Sequence, residues 1–276
     1  MKRLAAILLL AGCAYVPETR QGPTDDVADV WACYADGVDD AEVSVAMVRD
    51  GVPVFAGDPK TIYRIGEFTD LFVIEAALRM EDRGEIDLDS SLVAFAVFPI
   101  DPRYESVTMR ELAELRADPI DSDNALEPYV VRFNWASDAR IALFAALLEG
   151  VVGRPVAEIV RDEIALPLML HDTTFTPSAD KTPRLASRGH AFGGIYSTVE
   201  DCVKFFASSE RVRSSPLLRH RTVRGVALDF AVGRIRGGRR FIAYREGCRD
   251  FLLIFRNVTG WSHYKDFKFA SSVLAK

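Results

Sequence analysis

The sequence is poor in metal-binding residues: it has four histidines and four cysteines among 276 residues. The histidines are scattered and no cysteine has a ligand partner at zinc spacing, so no metal and no cofactor is expected. No apolar run approaches the roughly 18 residues of a membrane span. Basic residues are not in excess, with 34 Lys and Arg against 40 Asp and Glu. That balance lacks the footprint of a nucleic-acid binder. The arginines gather late, from Arg211 to Arg249, while the first third is acidic. This asymmetry reads as solvated faces rather than a polyanion site. Internal repeats and low-complexity tracts are missing too. What the chain does have is apolar bulk, 49% of its residues, enough to bury a large core.

The first residues follow a processing pattern. Lys2 and Arg3 precede an apolar stretch from Leu4 to Leu10, which Leu10-Ala11-Gly12-Cys13 closes with small residues. Such a stretch suits a signal-peptide core and is too short to span a bilayer. The tetrapeptide resembles the bacterial lipobox, which implies lipidation of Cys13. The expected layout is a lipoprotein signal over residues 1–13, a tether over 14–24, and one domain over 25–276. Several acyl chains on Cys13 anchor stably where one would not, placing the chain on the periplasmic side of a bacterial envelope. An oxidising compartment permits one disulfide among Cys33, Cys202 and Cys248, and the sequence does not select the pair.

Periodicity supplies the elements. Asp25 to Asp39 has helical spacing. Glu42 to Val48 alternates, Asp50-Gly51 marks a tight turn, and Val52 to Ala56 returns as a second strand. Helices are predicted from Thr69 to Arg83, stopped by Gly84, and from Asp138 to Val152, stopped by Gly153. Thr198 and Asp201 form an acidic variant of the capping box at the start of another helix. Three late runs, Ala227 to Ile235, Arg240 to Tyr244 and Phe251 to Phe255, read as antiparallel strands. Strands at both ends with helices between them predict an α/β chain of the α+β type. Its antiparallel sheet is flanked by terminal helices, and a helical lobe is inserted from about residue 71 to 200.

Several segments resemble the serine β-lactamase-like superfamily of class C β-lactamases, D-Ala-D-Ala carboxypeptidases and penicillin-binding proteins. These are Tyr63-Arg64-Ile65-Gly66 with Leu71-Phe72, Gly84 to Asp89, Val107 to Leu112, and Pro167-Leu168 with Asp172 to Phe175. Gly193 to Thr198 with Asp201 and Phe205, and Phe230 to Gly233 with Gly247 and Phe251, complete the match. The resemblance implies the β-lactamase/transpeptidase-like fold. The end departs from it, since the chain is one strand short before its closing helix.

That family acts through a Ser-x-x-Lys, a Tyr-x-Asn or Ser-x-Asn, and a Lys/His-x-Gly. A serine hydroxyl needs a base within hydrogen-bond reach to become a nucleophile. Glu67-Phe68-Thr69-Asp70 stands at the first position. The second reads Ala136-Ser137-Asp138 or, one residue earlier, Trp135-Ala136-Ser137. The third reads Arg245-Glu246-Gly247, and the family's histidine-threonine-serine-glycine stretch reads Leu115-Arg116-Ala117-Asp118. The expectation is a pseudoenzyme with Glu67, Asp70, Ala136, Asp138, Arg245 and Gly247 at degenerate positions. A peptide or cell-wall-derived ligand is expected at Glu67, Asp70, Trp135, Asp138 and Arg245. Asp70 is expected to pair with Arg245 across the former site. The alternatives are a hydrolase of peptides, esters or β-lactam-like substrates using carboxylates, or a calcium site built from the same acids.

Overall fold

The computed structural model describes residues 43–96, 100, 102–114, 139–175, 194–235, 238–257 and 263–275. Its main sheet has six antiparallel strands in the order β2-β1-β8-β7-β6-β5. They are β1 (Val43–Arg49), β2 (Val52–Ala56), β5 (Arg219–Val223), β6 (Val226–Ile235), β7 (Gly238–Arg245) and β8 (Phe251–Arg256). The short strands β3 (Tyr63–Arg64) and β4 (Tyr196–Ser197) pair separately. The predicted strands therefore recur with ends moved by one or two residues. Asp50 and Gly51 both take positive φ, 50° and 77°, as a two-residue hairpin turn requires.

The helices are α1 (Phe68–Asp82), α2 (Leu92–Phe95), α3 (Met109–Ala113), α4 (Ala139–Val152), α5 (Val156–Val160), α6 (Val199–Ser208), α7 (Glu210–Arg213) and α8 (His263–Leu274). A π-helical turn, Arg161–Ala165, follows α5 directly. Thr198 caps α6 by accepting from Asp201 N, and Thr108 caps α3 in a reciprocal box with Glu111. The predicted helix over 25–39 lies outside the described residues.

Period-two alternation divides the sheet into two faces. On β7, Ile242 and Tyr244 join the core formed with α1, α4 and α6, whereas Phe241 and Ala243 join the core under α8. Helices α1 to α5 all fall between β3 and β4 in the chain, so the helical region is an insertion in a sheet made by both ends. Cys202 and Cys248 are free thiols, the first buried and the second exposed, so neither takes part in the disulfide that the sequence allows. Cys13 and Cys33 lie outside the described residues.

Candidate functional site

The start of α1 is held from three sides. Ile65 N donates to Ile195 O at 2.9 Å, which continues the β3–β4 pairing past its last strand residue. Gly66 turns the chain with a φ of 63°. Phe68 is fully buried, with its ring edge-on to Phe206 at 5.5 Å and tilted against Phe255 at 6.0 Å. Thr69 is buried too, and its Oγ1 accepts from Ile195 N at 3.3 Å. Phe68 and Thr69 thus fix the helix start. Glu67 is exposed at the residue before the first turn and makes no capping bond with its side chain. Asp70 is half-buried in the first turn.

The strand that lies against this turn is β6. A Cβ placed on Gly233 would lie 2.5 Å from Ile65 O and 3.3 Å from Phe68 Cδ1. Only glycine lets the two backbones approach this closely. Opposite Gly233 across the β6–β7 ladder is Arg240, whose side chain is fully buried. Its Nε donates to Arg64 O at 2.8 Å, and its Nη2 donates to Asn257 Oδ1 at 3.0 Å. The guanidinium carbon lies 4.7 Å from the Tyr63 ring centre and 5.4 Å from that of Phe255. Tyr63 in turn shares a 2.8 Å hydrogen bond with Ser44 of β1. Arg240 therefore clamps β3, β7 and β8 together just upstream of Glu67.

Arg245 does not join this group. It shares strand parity with Phe241 and Ala243, so it stands on the α8 face, across the sheet from Asp70. It is also five residues along β7 from Arg240, about 17 Å at strand rise. The expected Asp70–Arg245 pair is not formed. Gly247 lies beyond β7 in the turn to β8, with a φ of 72°. The physical reason is the sheet order, in which two strands, β7 and β8, follow the strand beside α1. β8 pairs directly with β1 and leads into α8, so β6, not the strand ending in Arg245, lies beside α1.

Trp135, Ala136 and Asp138 lie outside the described residues, as does the 115–118 stretch. Of the predicted site residues, the structure brings together Glu67 and Asp70. Gly233 and Arg240 are the neighbours that sequence reasoning missed. A glycine inside a strand signals close backbone approach, and that signal was readable at Gly233.

The described residues that could hold a cation lie elsewhere. Carboxylate oxygens of Glu81, Asp87 and Asp89 come within 4.8 Å of one another, at the opposite end of α1 from Glu67. Arg110 already occupies that cluster, reaching Glu81 and Asp89 at 2.6 Å each.

The Beta-lactamase family model matches residues 32–245. The chain belongs to that family. The match ends at Arg245, so Glu246 and Gly247 fall outside it. D-alanyl-D-alanine-carboxypeptidase/endopeptidase AmpH of Escherichia coli K12 is 27% identical over 184 residues, an alignment covering 52% of this chain and 48% of that protein. AmpH of strain O157:H7 matches equally. The chain spans about half the length of these curated relatives.

Two solved structures share the fold. The β-lactamase/D-alanine carboxypeptidase of Yersinia pestis, complexed with citrate, has a TM-score of 0.68 at 16% identity, covering 91% of this chain and 97% of that one. The corresponding protein of Pseudomonas syringae has a TM-score of 0.68 at 12% identity, covering 90% and 98%. The β-lactamase/transpeptidase-like fold expected from the sequence is therefore the fold of this chain.

Proposed function

We propose that this member of the Beta-lactamase family is a non-catalytic, lipid-tethered protein that binds a peptide or cell-wall-derived ligand or serves as a scaffold. The observation that carries the reading is the first turn of α1. Where the family resemblance puts Ser-x-x-Lys, the chain has Glu67-Phe68-Thr69-Asp70. A carboxylate is no substitute for a hydroxyl nucleophile, and Asp70 supplies no amine to activate one. The strand beside this turn supports the same reading. Ala231-Val232-Gly233 ends in the glycine that touches Ile65 and Phe68, and its first residue carries no charge. Leu10-Ala11-Gly12-Cys13 supports a lipid tether and a place on the periplasmic side of the envelope.

The test is incubation with a fluorescent penicillin beside a serine carboxypeptidase of the same family as positive control. No covalent label and no D-alanine release from a D-Ala-D-Ala peptide are expected. Label on any serine overturns the proposal.

A second reading rests on Glu67 and Asp70, two carboxylates within one helical turn at the family's catalytic position. They would act as an acid–base pair on a peptide, ester or β-lactam-like substrate. Turnover that is lost in both Glu67→Gln and Asp70→Asn would establish that reading in place of the first.

A further inference from the structure

Arginines across most of the described surface are matched with carboxylates. Arg79, Arg83, Arg110 and Arg154 each reach one within 3.0 Å, and Arg256 does so in the core. Arg49 and Arg240 donate to backbone carbonyls instead, and five further arginines depart from this rule. Arg219 and Arg221 lie on β5, Arg224 in the β5–β6 turn, Arg245 at the end of β7, and Arg249 in the β7–β8 turn. None of the five makes an ion pair among the described residues.

Their placement is not scattered. Arg221 pairs with Leu228, and Leu228 with Arg245, so these two arginines share one cross-sheet row and one face. Two strand spacings separate them, about 10 Å. Arg219 has the same parity on β5, two residues along. Arg224 and Arg249 lie in turns at the end of that row, and both are exposed. Arg221 is braced from below, its guanidinium carbon 4.8 Å from the Phe267 ring of α8. The acids at this end of the sheet are Asp229, already bonded to His220 at 3.1 Å, Glu246 and Asp250 in the β7–β8 turn, and Asp50, whose N–H donates to Asp250 Oδ1 at 3.0 Å; they are fewer than the five arginines. A cationic excess therefore remains at this corner of the sheet.

We propose that this corner is a docking surface for an anionic phospholipid bilayer. Guanidinium groups bind phosphate oxygens through paired N–H donors. A negatively charged leaflet attracts such groups over about a Debye length. The shape of the patch selects a surface over a peptide. An acidic strand added to the outer edge of β5, the last strand of the sheet among the described residues, would lie about 5 Å outside that edge, while Arg245 lies two strands inward. A bilayer can meet both edge and turns at once. The surface acts whether or not Cys13 is acylated, and it would orient a tethered domain with its β5 corner toward the headgroups.

The test uses the full chain carrying Cys13→Ser, sedimented with phosphatidylcholine vesicles or with vesicles of equal parts phosphatidylcholine and phosphatidylglycerol. The apolar run from Leu4 to Leu10 contributes equally to every variant, so only differences are read. Binding to the anionic vesicles should exceed binding to the neutral ones at low salt and weaken toward about 0.15 M salt. Replacing the five arginines with glutamine should lower the anionic preference at least about tenfold, and replacing only Arg219, Arg221 and Arg224 should give a partial loss. Arg83→Gln with Arg154→Gln, which removes two matched arginines, should change it by less than about twofold.

Equal binding to the two vesicle types overturns the proposal, as does an unchanged five-glutamine variant. Displacement by polyglutamate more effective than by anionic vesicles overturns it in favour of an acidic-peptide edge. Displacement by millimolar inorganic phosphate alone overturns it in favour of a free-anion site.

Discussion

Met169 carries the clearest local strain. Its φ of 52° lies in the left-handed region, where it closes the turn after the π-helical segment. Leu170 N donates to Ala165 O at 2.8 Å across this turn, and Met169 N to Leu166 O at 3.1 Å. Glycine adopts this conformation without a Cβ penalty. The methionine side chain is 42% exposed, so little packing is lost on removing it. Met169→Gly should therefore raise stability by up to about 1 kcal/mol, seen as a higher urea midpoint with an unchanged m value.

At the scale of elements, one buried ion pair joins α8 to the sheet beside its apolar face. Arg256 at the end of β8 meets Asp266 in α8 through two bonds, at 2.7 and 2.8 Å, and both side chains are almost completely buried. Breaking such a pair leaves one charge without its counter-ion inside the protein. Asp266→Ala should cost about 3–5 kcal/mol in chemical denaturation. The double change Arg256→Met with Asp266→Leu should recover much of that loss.

Elements with apolar alternation were readable from the sequence; those without it were not. β5 escaped because Arg219-His220-Arg221-Thr222 contains no apolar residue and only Val223 is buried. The start of α1 was legible because Ile65-Gly66 and the buried run after Phe68 mark it independently of chemistry. Arg245 was assigned to the site from its order in the chain alone. Order along a strand does not reveal which strand lies beside α1, or which face a residue takes. The π-helical turn has no distinct sequence pattern, and no helix is predicted from the sequence over Val156 to Leu166.

For the whole molecule, alkaline pH is the informative variable. Burial pushes the Cys202 thiol up to about 12 from its ordinary value of 9.0. Burial also raises the Tyr244 phenol well above its ordinary value of 10.0. Both groups stay protonated in the folded chain while the unfolded chain ionises. The Cys202 contribution is thus complete below about pH 9 and is lost as pH rises to about 12, while that of Tyr244 is complete below about pH 10 and falls at every higher pH in this range. Unfolding free energy should fall by about 1.4 kcal/mol per pH unit above pH 9, and more steeply above pH 10. Denaturant melts between pH 8 and 11 check this, and Cys202→Ala with Tyr244→Phe should flatten the decline.

The sheet order fixes the sequence of events in the making of the protein. β1 lies between β2, its immediate neighbour in the chain, and β8, which is synthesised some 200 residues later. The hairpin of β1 and β2 emerges with the β1 edge open and keeps it open until Phe251–Arg256 arrive. A nascent chain that stalls or is clipped before β8 therefore carries an unsealed apolar strand, a ready template for mispairing. Completion of the fold is postponed to the end of synthesis, and the bare edge of β1 is what a holding chaperone would have to cover until then.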